Sequence, residues 1–143
     1  MTLRDEIIAR CSAATLATRN PALIAAEVSV GRTTLAGIGR ADFAVWAAVT
    51  GLRTVIEDTA ATVGDPLRAT ALTMVDFLRG GVADTFDMGS AANQTMLIAW
   101  VAMGKMTAAQ KVELEMKATI PDPVTEFDVR CVMWDELGNW LGG

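Results

Sequence analysis

Between Ser90 and Lys117 the chain carries two sets of helix start and stop signals separated by one glycine, and no other stretch limits the possible folds as tightly. Ser90 can cap a helix whose apolar positions Met96, Leu97, Trp100, Val101 and Met103 lead to Gly104, the residue type suited to a left-handed C-terminal cap. Thr107 and Gln110 then have capping-box spacing, in which the threonine oxygen takes a free backbone N–H and the glutamine reaches back to the cap residue. Val112, Leu114 and Met116 follow as apolar positions, with Lys105, Lys111, Glu113, Glu115 and Lys117 left for water. Helices joined this closely form an αα-hairpin, here 90–117, whose apolar side must be buried against further elements.

Similar punctuation runs through the rest of the chain. Thr2 caps a helix with Asp5 and Glu6 in its first turn, Leu3, Ile7, Ile8, Cys11 and Ala14 on one face, and an end near Thr18 or Arg19. Asn20-Pro21 restarts a helix, with proline where its missing N–H costs nothing, and this helix fades by Val30. Ala41 to Thr50 holds Phe43, Val45, Trp46, Ala47, Ala48 and Val49 around most of its circumference and is expected to be the most buried helix. Gly51 allows close packing or a bend, Leu52, Val55, Ile56, Ala60 and Val63 continue on one face, and Gly64 ends the run. Asp65-Pro66 repeats the cap-and-proline start for a helix through Leu67, Ala71, Leu72, Met74, Val75 and Leu78, closed by Gly80-Gly81, and Val82 to Gly89 is a linker. Ile120-Pro-Asp-Pro123 cannot be helical throughout, and Thr125 caps a last helix carrying Phe127, Cys131, Val132 and Trp134.

These signals add up to an all-α fold, a compact bundle of about six to seven short-to-medium helices. At 143 residues the chain suits one domain, 1–143. The β-branched residues from Val28 to Thr34 leave room for one short β-hairpin near 28–36. Two segments stand outside the helices as candidate contact segments. One is the glycine-containing loop at 29–40, offering Arg32, Thr33, Leu35 and Ile38; the other is the apolar C-terminal tail at 137–143, offering Trp140 and Leu141. The tail can dock on its own domain or on a neighbour. Trp46 and Trp100 read as core residues, whereas Trp140 suits core and ligand pocket equally.

Catalytic chemistry finds little to use. The chain has no histidine and no tyrosine, so a general base would have to be a carboxylate, and we expect neither enzymatic activity nor a cofactor. Asp84, Asp87, Asp122 and Asp128 sit in or beside turns and could hold a hard cation through oxygen, yet without the spacing of a calcium loop. Gly31-Arg-Thr-Thr and Gly37-Ile-Gly39 both fall short of a phosphate-binding loop. Cys11 and Cys131 read as two buried small hydrophobes in a reducing compartment. A net charge of −5 argues against nucleic acid as a direct partner. The longest apolar run, Met96 to Met103, is far short of the ~20 residues a membrane-spanning helix needs. The start, Met1-Thr-Leu-Arg-Asp-Glu, shows no apolar signal core, which suggests synthesis in the cytoplasm.

Asp65-Pro-Leu-Arg68, Phe86-Asp87, the helix to Gly104, Met106-Thr-Ala-Ala-Gln-Lys111 and Pro121-Asp-Pro-Val-Thr125 together resemble a group of small helical proteins encoded among the virion structural genes of tailed bacteriophages. The resemblance covers roughly Gly51 to Val132 and carries no catalytic motif. It implies a virion component near the tail or neck, made in the host cytoplasm and partnered by other phage structural proteins or by copies of itself. With 52% hydrophobic and 20% charged residues, the chain is more apolar than a small monomer needs, which fits a protein that packs against others. A small acidic phage inhibitor of a host protein is a second reading, favoured if Glu57, Asp58, Asp65, Asp84 and Asp87 gather on one surface. A small-molecule-binding helical bundle is a third.

Overall fold

Local capping determines most of the element boundaries in the computed structural model, which describes residues 1–81 and 83–143. Among these the chain is 61% helical, with nine helices and two small antiparallel strand pairs. The helices are α1 (Leu3–Arg10), α2 (Ala13–Thr18), α3 (Pro21–Ser29), α4 (Arg40–Thr50), α5 (Leu52–Ala61), α6 (Arg68–Leu78), α7 (Ala91–Ala102), α8 (Ala108–Ala118) and α9 (Glu126–Met133). The strands are β1 (Thr33–Leu35), β2 (Gly37–Gly39), β3 (Thr85–Asp87) and β4 (Thr119–Pro121).

The Thr107/Gln110 box forms as the spacing predicts, with Gln110 N–H donating to Thr107 Oγ1 at 3.1 Å and Thr107 N–H to Gln110 Oε1 at 2.9 Å. Thr2 with Asp5 and Thr125 with Asp128 make two more boxes, Ser90 caps α7, and Asn20 Oδ1 caps α3. Gly104 takes a left-handed φ of 72° between the helices of the 90–117 hairpin. Two expectations need correction. The first helix does not run to Thr18, because Ser12 caps a new one: its Oγ accepts from Thr15 N–H, while its own N–H is taken by Glu27. Asp65 is not the cap of α6 but closes a turn, accepting from Leu67 N–H at 2.9 Å, and the helix begins at Arg68. Of the two roles open to Gly51, the structure shows the bend: it joins α4 to α5 with a φ of 76° and open space where a Cβ would go.

Strand pairing departs from a purely helical bundle. β1 and β2 both lie inside 29–40, yet each finds a partner far along the chain: β1 pairs with β4 and β2 with β3. In the second pair Ile38 faces Phe86, and Gly37 and Gly39 face Asp87 and Thr85. Gly89 lies so close behind β1 that a Cβ there would come 2.8 Å from Leu35 O, so a side chain is barred. The linker expected from Val82 to Gly89 therefore contains a strand, while its first residue, Val82, lies outside the described residues.

Length alone suggests one domain; the contacts divide the chain into two compact units, Met1–Thr34 with Pro121–Gly143, and Leu35–Ile120. The first unit packs α1, α2, α3 and α9 around Ile7, Cys11, Ile24, Val28, Val129 and Met133. The second packs α4 to α8 and the β2–β3 pair around Phe43, Trp46, Ile56, Met74, Leu97 and Trp100. Phe43, Phe77 and Phe86 form an aromatic cluster there, with ring centroids 5.2 to 6.0 Å apart. Trp46 and Trp100 are core residues.

Two further expectations are overturned by exposure. Cys11 is buried but Cys131 is exposed, because the buried stripe of α9 runs through Val129 and Met133; Phe127 is exposed for the same reason. α4 is not buried all round: it turns Phe43, Trp46 and Ala47 inward and leaves Val45 and Val49 65% and 82% exposed.

Candidate interaction surface

α4 and α8 each bury one apolar stripe and leave a second in water. In α8 the positions i and i+4 share a face, whereas i+2 lies about 200° round the helix. Leu114 and Ala118 are therefore buried together, and Val112 and Met116 point out together, 52% and 72% exposed. Val45 and Val49 make the equivalent pair on α4. The helices run antiparallel: Gln110 Nε2 donates to Thr50 O at 3.4 Å near one end, Trp46 Nε1–H donates to Glu113 Oε2 at 3.0 Å midway, and Ala36 N–H donates to Ala118 O at 2.9 Å beyond the other.

The gap between them is an open groove. One depression of about 440 Å³ is lined by β2 together with Asp42, Val45, Trp46, Val49 and Lys117. A second, of about 340 Å³, is lined by Trp46, Val49, Thr50, Glu113, Met116 and Lys117. Trp46 forms a common apolar wall, its N–H satisfied by Glu113, so the groove offers apolar surface without an unpaired indole. Lys111 pairs with Glu115 along α8, while Asp42 and Lys117 have no ion-pair partner among the described residues.

The six residues singled out in the sequence are divided between the units: Arg32, Thr33, Trp140 and Leu141 belong to the first, Leu35 and Ile38 to the second. Arg32 is half-buried, donating from Nε to Glu6 and from Nη1 to Asp122, so its charge serves the first unit internally. Thr33 is exposed in β1, and Leu35 packs partly on the core of the second unit. Ile38 is 4% exposed, held in that core opposite Phe86, and presents nothing to a partner. Trp140 and Leu141 are half-buried: the tail folds back on its own unit, Leu141 N–H donating to Met133 O at 2.8 Å and the Trp140 ring lying 4.8 Å edge-on from Trp134. Trp140 also walls an open depression of about 410 Å³ with Leu16 and Arg19, the Arg19 guanidinium 5.9 Å from its ring. Leu137 alone in the tail is fully in water among the large apolar residues.

The carboxylates considered for a cation have other partners. Asp84 pairs with Arg40, Asp122 with Arg32, Asp87 accepts from Gly89 N–H, and Asp128 is held by Thr125. No group of three or more ligating side chains that could hold a metal is found among the described residues. No helix among them is long and apolar enough to cross a membrane. Comparison with family models, with curated proteins and with solved structures finds no match to this chain.

The hydrogen bonds around the acids set a pH dependence. Thr2 holds Asp5 below the usual carboxylate range, Arg10 does so for Glu6, Thr15 and Ser12 for Glu27, Thr125 for Asp128, and Asn139 for Asp135. All five belong to the first unit; in the second, Leu67 N–H and then Lys105 lower Asp65. A group whose folded pKa is depressed stabilises the fold above its unfolded pKa and loses that contribution as pH falls through the folded value. Stability should therefore be flat between about pH 5 and 8 and fall progressively below about pH 4. Urea midpoints followed by tryptophan fluorescence at pH 7 and pH 3 check this, and equal midpoints would contradict it.

Proposed function

We propose that this chain is a non-enzymatic structural component of a tailed-phage virion, near the tail or neck, that works by packing against copies of itself or other phage structural proteins. The observation that carries the packing role is the exposed apolar face of α4 and α8: Val45, Val49 and Met116 line the groove beside the Trp46 wall, and Val112, one turn from Met116 on α8, also stands in water. An isolated apolar side chain on a surface is ordinary, but a contiguous set on two neighbouring helices has a contact to make. Phe127 and Leu137 add exposed apolar surface to the first unit. The virion context rests on the resemblance of Gly51 to Val132 to phage-encoded helical proteins. The acidic-inhibitor reading needs massed free carboxylates, and Arg53, Lys105 and Arg40 already pair Glu57, Asp65 and Asp84.

Quantitative mass spectrometry of density-purified particles from a phage encoding this chain tests the proposal. A fixed copy number per particle is expected; a chain abundant in the lysate and missing from the particles would refute it.

A further inference from the structure

We infer that the α4–α8 face is a twofold docking surface for a second copy of this chain, with α4 of each copy laid along α8 of the other. This rests on the packing role proposed above and names its partner. The reason is self-complementarity. A twofold axis running along the groove, in the plane of the face, exchanges α4 with α8 and keeps the same end of the groove against itself. Val45 and Val49 of one copy then meet Met116 and Val112 of the other, apolar pair on apolar pair, with the order matched by the antiparallel run of the two helices.

The charges follow the same operation. Asp42 and Lys117 line the same depression, one on α4 and the other on α8, and neither has an ion-pair partner among the described residues. The axis brings Asp42 of each copy to Lys117 of the other, making two reciprocal pairs. Lys111 pairs with Glu115, whereas Glu113 accepts from the neutral Trp46 indole and keeps its negative charge in the groove. A chain of net charge −5 is repelled by its own copies in most orientations, and this face offers one in which opposite charges meet. A different protein would have to supply both the apolar pairs and the opposed charges by chance; a second copy supplies them by symmetry.

Sedimentation velocity of the full chain across a range of concentrations tests this. The wild type should form a dimer. Val49→Lys should weaken it by roughly thirtyfold or more, as loss of a central apolar contact does. At concentrations where both proteins are monomeric it should also leave the thermal midpoint nearly unchanged, because Val49 is 82% exposed and lysine near a helix C-terminus is favoured. Asp42→Lys and Lys117→Asp should each weaken the dimer roughly tenfold, and the two together should restore most of the loss, since the reversed pair attracts again. A wild type that stays monomeric, a dimer indifferent to Val49→Lys, or a double reversal no better than the singles would each overturn the inference. A monomer that is nevertheless built into particles would defeat the twofold face and spare the virion role; a dimer through this face that is missing from particles would do the reverse.

Discussion

Replacing Trp100 by alanine should cost about 3–5 kcal/mol and lower the thermal midpoint by roughly 10 °C, the largest single loss expected for this chain. Trp100 is fully buried in the second unit, on the inner side of α7. Its Nε1–H donates to Thr70 Oγ1 at 2.9 Å, tying α7 to α6 through a polar contact inside an apolar core. Truncation leaves a cavity too deep in packed side chains to collapse. Thr70 itself is not orphaned, because its hydroxyl also lies 2.9 Å from Leu67 O as a donor. Trp100→Phe therefore separates the two terms: it keeps most of the volume, loses the indole donor, and should cost only about 1–2 kcal/mol. Thermal scans of both variants check this, and a shift below about 3 °C for the alanine would remove Trp100 from the core.

Phe43→Ala should be nearly as damaging, at about 3–5 kcal/mol. The ring is fully buried at the meeting point of α4, α6 and β3, 5.2 Å from Phe86, 5.5 Å and edge-on from Phe77, and 5.8 Å from Trp46. Each such pair contributes about 0.5–1.5 kcal/mol beyond area burial, so Phe43 and Phe77 act together. In a double-mutant cycle with Phe77→Ala, the combined loss should fall short of the summed single losses by about 0.5 kcal/mol or more. Strict additivity would show that the two rings do not share one packed cluster. Because Phe86 belongs to β3 and Ile38 faces it from β2, losing Phe43 should also loosen the strand pair, read as faster amide exchange at Ile38 and Phe86.

What the sequence shows plainly is what local chemistry decides. A capping box needs only residues three apart, so Thr2, Thr107 and Thr125 announce α1, α8 and α9, and Asn20 with Pro21 announces α3. The break between α1 and α2 has no glycine or proline to mark it and depends on Glu27, fifteen positions beyond Ser12, accepting the Ser12 N–H. Strand pairing is still less local: β2 meets β3 across the whole of α4, α5 and α6, and three-residue strands carry too little alternation to be seen. Asp65-Pro66 has the form of a helix start, but the aspartate spends its oxygen on Leu67 and its charge on Lys105.

The candidate surface was partly visible in the sequence. Val112, Leu114 and Met116 cannot share one helix face, since the middle residue lies opposite the outer two, so one of the two stripes had to face water. Likewise a helix apolar around most of its circumference, such as α4, cannot be buried all round in a unit of this size. Which stripe is buried depends on neighbours: β2, Phe77 and Phe86 claim the Phe43 side, and the described residues of the unit leave Val45 and Val49 largely uncovered. Ile38 reads as a loop residue until β3 is placed beside it.

Methionine oxidation offers the most direct test of whether the α4–α8 face is covered when the protein works. Met116 on that face and Met103 away from the groove are both exposed, while Met74, Met88, Met106 and Met133 are buried. In dilute chain, brief peroxide treatment followed by mass spectrometry should oxidise Met116 and Met103 and spare the buried four. In the assembled material Met116 should be strongly protected while Met103 remains reactive. Equal oxidation of Met116 in the dilute and assembled protein would contradict the face as the working surface.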